Sequence, residues 1–167
     1  MKLSLHKKLK SCLIIVTALT SLWAQATESV EFVVRLSPVG EFVAKSPALK
    51  GSAVKKGEGY IAKNVTLDLR SLKTGMELRD RHMGEYFETD KFPMAEVTAA
   101  QGKNGKFAAH LVIRKQKQKI VGTYDVSSNV LTAKFKTTLS AFKIKKANYM
   151  GVGVEDEIEV QIRIPVK

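Results

Sequence analysis

The chain has 167 residues, of which 44% are apolar, 26% are charged and one, Cys12, is a cysteine. That is enough chain for one compact core, too apolar for a disordered segment, and too poor in cysteine for a disulfide scaffold or a cysteine-based zinc finger. Lys and Arg total 28 against 16 Asp and Glu, a net charge of +12. Lys63, Lys106, Lys134, Lys136 and Lys143 are scattered and no aromatic residues interleave with them as a stacking platform, so no nucleic-acid partner is expected. A surface of this kind suits contact with an anionic membrane surface or polymer.

The first 26 residues read as a leader. Lys2, Lys7, Lys8 and Lys10 precede an apolar run over 12–23, and Ala24-Gln25-Ala26 follows. A basic start, an apolar centre and a small-x-small site in that order specify a secretory signal peptide. The run is shorter than the roughly 20 residues that cross a bilayer. The expected mature domain is 27–167, periplasmic or secreted and free of cysteine; loss of the leader's four lysines lowers its charge to +8.

From there the pattern alternates with period two. Val30, Phe32, Val34 and Leu36 share one face of a first strand that ends at Pro38-Val39-Gly40. Weaker strands are expected over 41–45 and 48–55. A long strand over 59–69 places Ile61, Val65, Leu67 and Leu69 together; Lys63 interrupts this face and marks a rim or a bulge. Further strands are expected over 95–100, 106–114, 119–126, 130–139 and 157–166. Asn104-Gly105 is the strongest hairpin turn, because both central positions of a type I′ turn require positive φ. The basic run 114–119 reads as a solvated hairpin turn.

One segment departs from the alternation. Thr74-Gly75-Met76-Glu77 has the form of a capping box and predicts a helix, with Met76, Met83 and Phe87 on its packing stripe and Gly84 as an early stop. Asp80 falls on the same stripe, so it belongs to a polar interaction with the body of the fold or to the wet end of the stripe. Arg79 beside it can orient the helix or hold an anionic head group. His82 reads as a helix-surface or interface residue, or as a head-group contact. His82 and Asp80 diverge by about 200° on a helix, so no metal site is expected there. The sequence contains no His-Glu-x-x-His, Gly-x-Ser-x-Gly, Cys-x-x-Cys or phosphate-cradling glycine pattern, so no catalytic residue is assigned.

Amphipathic strands in this number, with one helix, predict an all-β-dominated antiparallel barrel of about eight strands; a sandwich is the alternative. A barrel of that size either fills with its own side chains or holds one ligand, and periodicity does not choose. The inward candidates are Phe32, Val34, Ile61, Val65, Leu67, Leu69, Phe107, Ala109, Leu111, Ile113, Phe135, Ile162 and Ile164.

Several segments carry a more specific signal: Ser71-Leu72-Lys73-Thr74-Gly75, Leu78-Arg79-Asp80-Arg81-His82-Met83 and Tyr86-Phe87-Glu88-Thr89-Asp90-Lys91-Phe92-Pro93. Val121-Gly122-Thr123-Tyr124 and Gly151-Val152-Gly153-Val154-Glu155-Asp156-Glu157 extend it. Together they resemble the YceI-like family. The resemblance implies an exported, lipocalin-like barrel with a capping or insert helix, whose interior encloses a polyisoprenoid or related lipid. On that basis the expected function is non-catalytic carriage or sequestration of a long-chain isoprenoid or other amphiphilic lipid, with no cofactor besides the bound lipid. The alternatives are a filled barrel that docks an envelope protein and, less favoured, a lipid-modifying enzyme. The sequence fixes no oligomeric state.

Overall fold

A computed structural model describes residues 28–149 and 151–167; the expected signal peptide lies outside them. The strands are β1 (Ser29–Ser37), β2 (Glu41–Ser46), β3 (Lys50–Lys56), β4 (Gly59–Asp68), β5 (Met94–Lys103), β6 (Lys106–Ile113), β7 (Gln116–Ser127), β8 (Val130–Thr138), β9 (Asn148–Tyr149) and β10 (Val152–Pro165). One helix, α1 (Glu77–Phe87), interrupts the series. All ladder pairs between these strands are antiparallel, in the spatial order β2-β1-β10-β8-β7-β6-β5-β4-β3, with β9 beside β10. The sheet curls until β3 meets the end of β10. There Ala53 bridges Val166 in parallel, and the Lys167 amide donates to the Ala53 carbonyl at 2.9 Å. The expected barrel is therefore the observed fold, closed at its seam by a single bridge.

Alternation explains most of the core. Val30, Phe32 and Val34 point inward from β1, and Ala109, Leu111 and Ile113 from β6, while β10 contributes Ile158, Val160, Ile162 and Ile164. Asn104 and Gly105 have φ of 52° and 72°, as a type I′ turn requires. The basic run 114–119 is only partly a turn. Arg114 and Lys115 form it, with φ of 49° and 61°, and Gln116 already begins β7. Arg114 is not solvated: its side chain is 15% exposed, its guanidinium donates to Glu88 and to the Lys143 carbonyl, and Phe92 lies beside it.

The capping box does not form. Met76 is the N-cap and makes no side-chain bond. Gly75, at φ 80°, turns the chain so that Thr74 stands too far back to cap. Asp80 instead reaches back from the first turn, and its Oδ1 accepts from the Thr74 amide at 2.8 Å and the Thr74 hydroxyl at 2.7 Å. The expected stripe is also shorter than its pattern, because Met83 and Phe87 pack on the core whereas Met76 is exposed. Gly84 lies within the helix, which ends at Glu88 in the left-handed conformation, φ 51°.

Candidate ligand cavity

Two small voids lie inside the barrel. The first, about 50 Å³, sits toward the end where the β3–β4, β5–β6 and β7–β8 hairpins turn, and Phe107, Tyr60, Tyr124 and Ile164 are among its walls. The second, about 30 Å³, lies deeper, against Phe32, Leu67, Leu111 and Ile113. Val65, Val97, Phe135 and Ile162 border both, so the voids are consecutive stations of one apolar interior. Two edge-to-face aromatic pairs flank this space. Tyr60 and Tyr124 have centroids 5.8 Å apart, and Phe107 and Phe135 6.0 Å. A Cβ on Gly102 would lie 2.6 Å from Tyr124 Cε1, so the ring rests directly on that glycine.

The inward candidates do not all reach this space. Val34, Leu69 and Ala109 are buried, but none of them borders either void. Ile61 is a correction: it borders neither void, and its neighbours Tyr60 and Ala62 take the inward places. The cause is a bulge. Against β3, Lys50 pairs with Thr66 and Ser52 with Lys63, so one extra residue is accommodated around Asn64, whose φ is 52°. That residue inverts the facing of everything before it and places Lys63 outside. A second bulge at Ala99, φ 51°, does the same to β5 and brings Ala100 and Gly102 to the void. The only local sign of the first bulge is the polar Lys63-Asn64 pair within an apolar strand, and Ala99-Ala100 gives no sign of the second.

The polar candidates form a separate group on and beside α1. Arg79 lies over the Phe42 ring at 4.5 Å and pins the helix to β2. Hydrogen bonds from Thr74 hold the Asp80 carboxyl below the usual carboxylate range, and Lys73, at 3.7 Å, adds to this. His82 is exposed. None of the three borders a void; Arg79 and Asp80 hold the helix through the contacts just described. Among the described residues no three His, Cys, Asp or Glu side chains cluster as a metal site.

An apolar-lined antiparallel barrel with a helix packed against it defines a class of small binding folds. The sequence places the chain within that class: the profile of the YceI-like domain matches residues 23–166, and the chain belongs to that family. No curated protein matches it. Among solved structures, BcnA of Burkholderia cenocepacia superposes with a TM-score of 0.61 at 14% identity, over 83% of this chain and 95% of that one. A polyisoprenoid binding domain from Saccharophagus degradans, implicated in plant cell wall breakdown, gives 0.59 at 15%, over 83% and 92%. At these identities the likeness is one of fold.

Proposed function

We propose that this protein is a non-catalytic binder that carries or sequesters a long-chain isoprenoid or other amphiphilic lipid, with the chain of the ligand inside the barrel. The observation that carries this reading is the apolar interior, in which consecutive voids are joined through Val65, Val97, Phe135 and Ile162 and walled almost wholly by carbon. Membership of the YceI-like family and the fold shared with a polyisoprenoid binding domain support it. Burial of apolar chain contributes roughly 25 cal/mol per Å², so affinity rises with tail length. The signal-like leader supports work outside the cytoplasm, in the periplasm or secreted, and the excess of lysine suits transfer at an anionic membrane surface.

Voids of about 50 and 30 Å³ are far below the roughly 300 Å³ at which small-molecule pockets begin. Loading therefore requires the barrel to swell. The same small volume favours the second reading, a filled barrel that docks an envelope protein. Mass spectrometry of lipids extracted from protein purified out of its own host separates the two, together with titration of delipidated protein by a long-chain isoprenoid alcohol. A stoichiometric isoprenoid or related amphiphile is expected. No extracted lipid and no binding would leave the docking module.

A further inference from the structure

We propose that the ligand's chain reaches the interior sideways, through the wall between β4 and β5, and that its polar head stays in the cleft outside that opening. The proposal rests on the lipid-binding reading above. Pairing between these strands runs from Gly59↔Lys103 to Ile61↔Gln101 and resumes at Val65↔Val97; residues 62–64 and 98–100 have no partners across the gap. The bulges at Asn64 and Ala99 sit back to back on its two sides, each facing its other neighbour, β3 or β6. A left-handed conformation costs a residue with a Cβ roughly 1 kcal/mol or more, and Ala99 holds one here. A wall without residue pairing over three positions is the part of a sheet that opens most readily.

Outside the gap lies a cleft of about 630 Å³, to which Lys50, Lys63, Asn64, Thr98 and Lys167 contribute. It is the polar counterpart of the interior and shares walls with it. Ala62, Val65 and Val97 border both the cleft and the larger void, and Val65, Thr66, Glu96 and Val97 border both the cleft and the deeper one. Val65 and Val97 face each other in register and are the two residues that border the cleft and both voids. Thr98 lines this cleft, and its Oγ1 is buried without a hydrogen-bond partner among the described residues, so a head group would reach it once the gap opens. Lysines and glutamates both line the cleft, Glu28 and Glu96 among them, so it suits a hydrogen-bonding head of low net charge. Large side chains stand at both ends of the barrel: Phe142, 1% exposed and next to the Lys143 carbonyl that Arg114 holds, and the Tyr60–Tyr124 pair where the hairpins turn.

The test measures stopped-flow uptake of parinaric acid, a fluorescent long-chain fatty acid, by delipidated full-length protein exported and purified from the envelope. Lys63→Cys places an exposed thiol in the cleft, and coupling it to a polyethylene-glycol maleimide covers the opening without touching the core. Lys117→Cys, exposed on the outer face of β7, is the control. Labelled Lys63→Cys is expected to load about tenfold more slowly than its unlabelled form, with the labelled control unchanged. Equal rates before and after labelling, or equal slowing in both variants, would overturn the lateral route. Failure of the wild type to take up the probe at all would instead overturn the lipid-binding reading and the route with it. A Val65→Cys/Val97→Cys disulfide gives a second measurement: slow when oxidised and restored on reduction supports the route, and fast in both states sinks it.

Discussion

The barrel has two kinds of wall. Between β6 and β7 eight consecutive residue pairs run from Lys106↔Thr123 to Ile113↔Gln116 without a shift, and β7–β8 continues in unbroken register from Gly122↔Phe135 to Ser127↔Val130. Between β4 and β5 the ladder is broken at its middle, and both flanking pairs shift register at the same height. In the continuous wall a side chain's facing follows from its position in the strand, and Phe107, Ile120, Tyr124 and Phe135 line the larger void from it. At the broken wall facing is inverted by the bulges, backbone pairing is interrupted, and a polar cleft shares Val65 and Val97 with both voids. The contrast puts the unbroken register and the proposed way in on different strands.

The largest effect expected from this contrast is at Gly122, in the continuous wall. A Cβ there would lie 2.1 Å from the Lys134 carbonyl oxygen, which is held in the β7–β8 ladder and cannot move without breaking it. Gly122→Ala should cost about 3 kcal/mol or more by urea unfolding, the upper end of overpacking effects. A variant of wild-type stability would show that this wall yields as easily as its counterpart. Next come two alanines that compare the walls directly. Ala109 is 2% exposed and borders no void, whereas Ala100 borders the larger one. Ala109→Leu is expected to lose about 1–3 kcal/mol, and Ala100→Leu less than about 1 kcal/mol with weakened lipid binding. Equal losses at the two sites would mean that the interior is uniformly filled.

This difference also decides what the sequence discloses. In β1 and β6, period-two alternation identifies Phe32, Val34, Leu111 and Ile113 as inward residues, and the Asn104-Gly105 turn is set by the φ requirements of two residues. Such features are local. The facing of Tyr60, Ala62 and Ala100 depends on bulges where three strands meet; Lys63 marks the first within its own strand, and nothing local marks the second. The helix start fails for a related reason: Thr74 and Glu77 have the right spacing, but Gly75 bends the chain and gives the hydroxyl to Asp80. Arg114 resembles any basic turn residue until Glu88 and the Lys143 carbonyl, remote in the chain, arrive beside it.

A variant remote from both walls calibrates the comparison. Asp80 accepts two hydrogen bonds from Thr74, and its pKa is lowered chiefly by the Thr74 hydroxyl. A carboxyl depressed in the folded state stabilises above its unfolded pKa and loses that contribution as pH falls through the folded one. Asp80→Asn should therefore cost about 1 kcal/mol at neutral pH and progressively less in acid. Unfolding midpoints measured from neutrality down through the carboxylate range test this; a deficit that persists unchanged at the acid end would mean that the charge contributes nothing.

The smallest expected effect returns to the broken wall and carries the opposite sign. Thr98 Oγ1 and His110 Nδ1 are both buried without partners among the described residues, and the two residues are paired across β5–β6 just before the Ala99 bulge. An unsatisfied buried hydroxyl carries a desolvation cost, and an apolar group of similar shape removes it. Thr98→Val should thus gain about 0.5 kcal/mol in the lipid-free protein, within the range of one hydrogen bond. The same change deprives a head group in the cleft of its hydroxyl, so lipid affinity should fall while stability rises. Urea unfolding of the delipidated protein and titration with a long-chain isoprenoid alcohol read the two quantities separately. Both moving down together would show that the hydroxyl is satisfied in solution and belongs to the fold; stability up with affinity unchanged would place the head group elsewhere.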